Sequence, residues 1–281
     1  MELEALKRKG KKVKLVVFDL DGTLLTTQGK ISYHSKLAID ELKKKGIKIA
    51  IASGRIFTML KSFYETLELK DFVISSNGAS IDDLSTQQPV QQLFLDPEDA
   101  KKVIDFCIIN HFECNIHKRD ACYFQPFSLR LDRFKSYNEH AKEQNSEEIK
   151  LMVYEYGIDN YERIEKILIY ETNSIKTKKI KHFVEMNTKL NHMSSNEGFL
   201  DISAIGVSKG SAVEKITEYM HIDLEQVCVF GDYDNDISMF NVAGLSIATS
   251  NGSKNAMKHA DFITLSNDNE GIAYAVKELL L

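Results

Sequence analysis

The sequence predicts an α/β protein: a doubly wound, Rossmann-like parallel sheet interrupted by an inserted α+β domain. Three observations carry this expectation. Short apolar runs at Leu15–Phe18, Ile47–Ala52 and Phe72–Ser75 alternate with helical patterns through the first third of the chain. The same rhythm returns after Gly206, with a helical pattern over Lys209–Met220 and the run Val227–Phe230. Between them the pattern is mixed, with no Gly/Ser/Pro linker and no repeat to mark its edges.

A chain of 281 residues with 43% hydrophobic content has room for two packed cores. The pattern divides it into residues 1–83 and 204–281, which share one sheet, and the insert 84–203. A net charge of −5 offers no global field for nucleic acid or an anionic membrane, so a phosphate site must be built locally. The four cysteines form no CxxC pair and read as buried, reduced thiols, which points to a cytoplasmic protein. No apolar run approaches the ~20 residues that span a bilayer. The leader Met1–Lys14 is basic late but carries Glu2 and Glu4, and lacks a signal-peptide apolar region. It reads as a solvated, frayed segment in preference to a nucleic-acid patch.

Taken in order, Leu15–Phe18 is an unbroken, Val-rich run suited to a strand buried on both faces. Ser35–Lys45 follows as a helix, with Leu37, Ile39 and Leu42 among charged residues and Gly46 at the C-cap position. Ile47–Ala52 is a strand, Ile56–Leu67 a helix and Phe72–Ser75 a third strand. In the insert, helix Pro97–Asn110 precedes strands Cys114–His117 and Cys122–Gln125 around the turn Lys118-Arg119-Asp120. A polar helix Ser128–Gln144, strand Ile167–Tyr170, helix Ile175–Met186 and two short strands ending at Ile202 complete it. The last third reads as helix Lys209–Met220, strand Val227–Phe230, helix Asn235–Val242, strands Leu245–Ala248 and Phe262–Leu265, and a closing helix Glu270–Leu280.

The chemistry-bearing residues stand where strands end. Asp19 and Asp21, spaced i, i+2, are followed at once by Gly22. Taken alone, D-x-D-G is as well explained by a turn as by a site. Ser53-Gly54 ends the second strand, Gly231-Asp232 the fourth, with Asn235 and Asp236 beyond, and Lys209 opens a helix whose free N–H groups favour anions. Acids, a hydroxyl and a lysine at one end of one sheet describe a phosphate-plus-Mg²⁺ site. Other motifs fail. Asp232-Tyr233-Asp234-Asn235-Asp236 lacks the Gly and Glu of an EF-hand loop, and Val207-Ser208-Lys209-Gly210 lacks the spaced glycine of a P-loop.

In this order, Asp19-Leu20-Asp21-Gly22-Thr23, Ser53-Gly54-Arg55, Asn77-Gly78-Ala79, Val207-Ser208-Lys209-Gly210 and Gly231-Asp232-Tyr233-Asp234-Asn235-Asp236 resemble the haloacid dehalogenase (HAD) superfamily, specifically Cof-type phosphatases with a cap inserted after the third core strand. The tail Ala260–Thr264, Asn267 and Glu270-Gly271 matches the family's closing pattern, whereas Thr249-Ser250-Asn251-Gly252 replaces its usual Met-Gly-Asn-Ala turn. The resemblance implies Asp19 as nucleophile and Asp21 as general acid and base. It implies Ser53 and Lys209 as phosphate-binding groups, helped by the Gly54 N–H and Asn235. It implies Mg²⁺ held by Asp19, the Asp21 backbone carbonyl and Asp232, with Asp236 behind them. Arg55 could contact substrate or cap a helix, and Asp234 should face solvent.

The activity so implied is Mg²⁺-dependent hydrolysis of small phosphorylated metabolites, sugar phosphates foremost, through an aspartyl-phosphate. The partner is the metabolite alone, without nucleic acid or membrane, on a monomer or weak homo-oligomer. The alternatives are a phosphomutase of related capped fold and a non-catalytic phosphosugar-binding protein. Pure binding needs no general acid, so the Asp19/Asp21 pair argues against the latter. No residue of the insert has a role in phosphoryl transfer, so its expected duty is choice of substrate. Lys118, Arg119 and Asn196 are candidates there, although a solvated hairpin turn explains the first two better.

Overall fold

The computed structural model describes residues 3–143 and 146–281, apart from the side chains of His140 and Asn196. The helix end expected at Gln144 and the candidate side chain of Asn196 therefore lie outside the described residues.

The chain opens with α1 (Leu3–Gly10), β1 (Leu15–Asp19), α2 (Tyr33–Lys44), β2 (Lys48–Ala52), α3 (Lys61–Thr66), β3 (Phe72–Ser75), β4 (Ser80–Asp83) and β5 (Gln88–Gln92). There follow α4 (Pro97–Ile109), β6 (Glu113–His117), β7 (Ala121–Phe124), α5 (Leu131–Glu143), β8 (Lys150–Val153), β9 (Lys166–Tyr170), α6 (Ser174–Asn187), β10 (Leu190–Asn196) and β11 (Phe199–Ala204). The last stretch holds α7 (Lys209–Met220), β12 (Val227–Gly231), α8 (Ile237–Phe240), β13 (Leu245–Thr249), α9 (Lys254–His259), β14 (Phe262–Thr264) and α10 (Gly271–Ala275), closed by a π-turn over Val276–Leu280.

These elements form two compact units. The first comprises the chain up to Gly54, Phe63–Gln91 and Ser208–Leu281; the second comprises Arg55–Ser62 and Gln92–Val207. The first unit carries a sheet of order β14-β13-β12-β1-β2-β3-β4-β5. From β14 to β3 the pairs are parallel, and β4 then turns back antiparallel to β3. The chain runs outward from β1 through β2 and β3, then resumes on the other side of β1 at β12. The strand order therefore reverses between β1 and β12, where open sheets of this kind leave a crevice at the carboxyl ends. All five residues of β1 are buried. Leu15 and Val17 pack with Ala212, Val213 and Ile216 of α7 and Met239 and Phe240 of α8.

The second unit has its own sheet, β10-β11-β9-β6-β7-β8, antiparallel except for the parallel pair β7–β8. Cys114, Ile116, Ile167, Ile169, Leu200 and Ile202 form one face and pack on Val103, Ile104 and Cys107 of α4 and Ile180 and Val184 of α6. All four cysteines are free and buried. Among the described residues, no helix is long and apolar enough to cross a membrane.

Several expectations need correction. The basic leader is not frayed over its described part: α1 buries Leu6, and Lys9 pairs with Asp261 at 3.1 Å. Gly10 lies so close to the Leu279 carbonyl that a Cβ could not fit. The run expected as helix Ile56–Leu67 is a 3₁₀ turn, Phe57–Leu60, followed by the short α3. The run is divided between the units: Ile56 packs with Cys122, Phe124, Phe134 and Ile149 of the second, and the chain returns to the first at Phe63. The helix expected over Asn235–Val242 shrinks to α8, because the Asp236 carboxylate closes a tight turn on the backbone before it. The hairpin β4–β5 extends the first sheet beyond residue 83, so 84–91 sit in the first unit and 204–207 in the second. Strand β8 and helix α9 were not anticipated.

Candidate active site

The parallel register decides which strand ends are neighbours. Phe18 pairs with Phe230, their rings stacked 4.8 Å apart, and Asp19 pairs with Ala52. One residue further along, Asp19 therefore stands between Ser53 on one side and Gly231-Asp232 on the other. The chain then leaves β1 through a turn in which the N–H of Leu24 donates to the Asp19 carbonyl at 3.2 Å. Gly22 has φ +87°, and the Asp232 carboxylate crowds the space a Cβ would take.

Lys209 enters from α7. Ser208 caps that helix by accepting from the Ser211 N–H at 3.0 Å, while the Ser211 hydroxyl accepts from the Ser208 N–H at 3.0 Å. The cap sets Lys209 at the first helical position, where its side chain is 1% exposed. Its ammonium donates to Asp19 Oδ1 at 2.5 Å and to Asp236 Oδ1 at 2.6 Å. The other Asp236 oxygen, Oδ2, accepts from the N–H groups of Asp232 and Tyr233 at 2.9 and 3.0 Å. Asp236 is thus a brace with both oxygens engaged. Thr23 Oγ1 donates to Asp232 Oδ1 at 2.9 Å.

One oxygen from each of Asp19, Asp232 and Asp236 lies within 4.8 Å of the others. Asp21 is exposed, and its carboxylate is not part of that group. Ser53 is buried; its N–H donates to the Ile74 carbonyl and its carbonyl accepts from the Asn77 N–H, both at 2.9 Å. Gly54 is half-buried, with the Asn77 amide 3.1 Å from where a Cβ would stand. Asn235 Nδ2 donates to Asn77 Oδ1 at 3.1 Å, leaving the buried Asn235 Oδ1 without a partner.

Burial dominates the electrostatics. It pushes the Asp19 carboxyl well above the ordinary carboxylate range, against the pull of Lys209, and Asp236 and Asp232 add to the rise. Burial and then Asp236 push Asp232 up to about 7, opposed by the Thr23 hydroxyl. Burial works against the Lys209 ammonium too, but the Asp19 and Asp236 carboxylates outweigh it and hold the lysine above its ordinary value. These shifts share one cause: three carboxylates, Asp19 and Asp236 buried and Asp232 half-buried, crowd one ammonium. Hard oxygen donors short of positive charge, beside an orphaned acceptor, are a donor set that fits a divalent cation.

The structure also brings in residues to which the sequence reading gave no role. Thr249 Oγ1 and Asn251 Nδ2 donate to the Gly22 carbonyl at 3.2 and 2.8 Å and pin the turn after β1. Ser238 Oγ accepts from the Gly210 N–H at 3.1 Å and tethers α7. Asn77 has φ +59° inside a strained Ser-Asn-Gly turn. The Asn-Gly pair was the visible signal there, and the turn Thr249-Ser250-Asn251-Gly252 stood out as the counterpart of the family's Met-Gly-Asn-Ala turn, although without a role for either residue. Asp234 is exposed as expected, and Arg55 is half-buried. Lys118 and Arg119 are occupied inside the second unit. The Lys118 ammonium donates to the Asn160 carbonyl at 2.9 Å, and the Arg119 guanidinium lies 3.8 Å from the Phe57 ring centre.

Known proteins resemble this chain over nearly its whole length. A family model described as haloacid dehalogenase-like hydrolase matches residues 16–276. Two Bacillus subtilis proteins are each 28% identical: a 5-amino-6-(5-phospho-D-ribitylamino)uracil phosphatase, YwtE, over 95% of this chain and 98% of its own, and the phosphatase YwpJ, over 95% and 100%. A solved haloacid dehalogenase-like hydrolase from B. subtilis superposes with a TM-score of 0.82 at 27% identity, covering 95% of this chain and 100% of its own. A sugar phosphatase of HAD subclass IIB, BT4131, shares the fold with a TM-score of 0.81 at 23% identity, covering 94% and 98%. The chain belongs to the haloacid dehalogenase-like hydrolases and is a phosphoric monoester hydrolase of their Cof type.

Proposed function

We propose that the chain hydrolyses small phosphorylated metabolites, with sugar phosphates as the substrate class, through an aspartyl-phosphate on Asp19 and with Mg²⁺ as cofactor. The observation that carries this reading is the Lys209 ammonium held between Asp19 and Asp236 at the carboxyl end of β1, with Asp232 alongside. The relative named for a phosphorylated ribitylamino compound supports a polyhydroxylated substrate.

Asp19 attacks phosphorus with a carboxylate oxygen, and the bond to the leaving oxygen breaks while Asp21 delivers a proton to it. Asp21 then takes a proton from the water that attacks the aspartyl-phosphate, releasing inorganic phosphate and restoring Asp19. Asp21's exposure suits both exchanges, since it must meet leaving group and water in turn. Ser53, the Gly54 N–H, Asn235 and Lys209 hold phosphoryl oxygens and stabilise the charge that develops on them. Asp19, Asp232 and the Asp21 carbonyl would hold Mg²⁺, which neutralises charge on nucleophile and phosphoryl group together. Asp236 acts through Lys209 and the backbone after β12, keeping both in place. Every residue given a chemical role belongs to the first unit, so we assign choice of leaving group to the second.

Release of free phosphate from p-nitrophenyl phosphate and a panel of sugar phosphates, with Mg²⁺ and no bisphosphate activator, tests the reading. No release from any of them would overturn it, and release only with an activator would mark a phosphomutase.

A further inference from the structure

Asp21, the group given the proton transfers, stands beside a loose joint in the chain. Gly22 follows it with φ +87° and no side chain to limit rotation, and Asp21 itself is exposed. The turn closes on itself through Leu20 and Asp19. The N–H groups of Thr23 and Leu25 donate to the Leu20 carbonyl at 3.3 and 2.9 Å, and that of Leu24 to the Asp19 carbonyl at 3.2 Å. These bonds leave the Gly22 carbonyl to partners from elsewhere.

Those partners come from the last third of the chain, within the same unit. Asn251 Nδ2 donates to the Gly22 carbonyl at 2.8 Å and Thr249 Oγ1 at 3.2 Å, from the end of β13 and the turn beyond it. Asn251 is itself held, since its Oδ1 accepts from the Asn267 N–H at 2.9 Å, and Asn267 Nδ2 donates to the Leu25 carbonyl at 2.9 Å. Further along, the Thr27 N–H donates to Asp268 Oδ1 at 2.8 Å, and the Ser32 hydroxyl to Glu270 Oε2 at 2.5 Å. The segment from Gly22 to Ser32 is thus tied to the loops after β13 and β14. Asn251 is exposed, and an exposed hydrogen bond adds little to stability because water competes for both groups. What its two bonds fix is direction.

We propose that Asn251 is a positioning residue for Asp21: by holding the Gly22 carbonyl it stops rotation at the glycine and keeps the Asp21 carboxyl aimed at the leaving oxygen. The inference rests on the phosphatase reading. In that reading the Asp21 O–H bond breaks and its proton goes to the leaving oxygen, which takes the electron pair of the P–O bond as Asp19 bonds to phosphorus. A carboxyl that swings on an unheld joint loses the geometry this transfer needs. The cost then falls on leaving groups that depend on the proton.

The test compares phenyl phosphate with p-nitrophenyl phosphate at saturating Mg²⁺. The two are alike in shape and unlike in their demand for a proton, since p-nitrophenolate leaves readily without one and phenolate does not. In Asp21→Asn the ratio of kcat/KM for phenyl phosphate to that for p-nitrophenyl phosphate should fall, as loss of the proton donor requires. In Asn251→Ala the same ratio should fall about fivefold or more. Asn251→Asp keeps the acceptor for Asn267 but removes the donor to Gly22, and should behave as Asn251→Ala does. A merely structural change would slow both substrates alike. A ratio within about twofold of the parent in either Asn251 variant, where Asp21→Asn lowers it, overturns the inference and leaves the phosphatase reading standing. An unchanged ratio in Asp21→Asn removes the general-acid reading and the inference with it. Should the Asn251 variants not fold, Thr249→Val removes the second donor to the same carbonyl and is read the same way.

Discussion

Lys209 and Asp19 lie 190 residues apart in sequence, yet the ammonium nitrogen donates to the carboxylate at 2.5 Å. The pair is closed to water, with side chains 1% and 7% exposed. A buried ammonium shared by two carboxylates, with a third nearby, ties the start of α7 to the ends of β1 and β12. Folding of the first unit and assembly of the candidate phosphate site are therefore one event.

Replacing the nucleophile should abolish turnover without unfolding the protein. Asp19→Asn should lower kcat by at least about three orders of magnitude. Thermal stability should hold or rise, because one of three crowded carboxylates is removed. Steady-state kinetics and a melting curve on the same preparation check both. Near-parental turnover would remove Asp19 from the mechanism.

Removing the counter-charge should have the opposite effect on stability. Lys209→Met leaves Asp19 and Asp236 buried without their ammonium. The unfolding free energy should drop by about 3–5 kcal/mol in metal-free buffer. Urea titrations of variant and parent measure it, and a loss below about 1 kcal/mol would show that the carboxylates are compensated some other way.

Activity should disappear in excess chelator and return with Mg²⁺. Ca²⁺ should inhibit, because its larger and looser shell does not hold the phosphoryl group in line. Full activity in chelator would rule out a metal-dependent step.

Thr23→Val removes the hydroxyl that donates to Asp232 at 2.9 Å. Loss of an orienting hydrogen bond of this kind should weaken Mg²⁺ affinity by about 10–100-fold. At saturating Mg²⁺, kcat should be largely restored. A Mg²⁺ titration of activity reads the shift, and an unchanged midpoint would show that Thr23 only fills space.

His117 should impose a pH dependence on stability. Burial holds the folded imidazole well below its ordinary value of 6.5, whereas the unfolded chain titrates near that value. Below about pH 6.5 the unfolded state takes up a proton that the folded state refuses, so stability is present above that pH and lost as pH falls. His117→Gln should flatten the profile between pH 5 and pH 7.5, in denaturant midpoints measured at both. An equally steep profile would assign the pH dependence to other groups.

Elements that answer to one core were legible from local pattern. β3 and α7 have the bounds expected, Phe72–Ser75 and Lys209–Met220, because each shows a single periodicity facing a single partner. Residues 56–67 were misread because Ile56 packs in the second unit while the chain from Phe63 belongs to the first, a split that no single-period pattern expresses. The leader was misread because six basic residues mask the one spacing that buries Leu6.

The sequence by itself determined which groups end the strands: Asp19 and Asp21 before Gly22, Ser53 before Gly54, Asp232 after Gly231, and Lys209 just inside a capped helix. Those are local facts, set by where apolar runs stop and helices can start. Only the tertiary structure decided that β1 lies between β2 and β12, and hence that these groups are neighbours. It alone decided that Lys209 takes Asp19 and Asp236 as partners, that both Asp236 oxygens are spent as a brace, and that the Gly22 carbonyl is held by Asn251. The buried pair of Lys166 and Asp201, 2.9 Å apart, likewise forms only because β9 and β11 pair in register. The reason is physical: hydrophobic periodicity reports the face a residue presents, whereas partners from distant segments are fixed by strand order and register, which depend on the packing of the whole sheet.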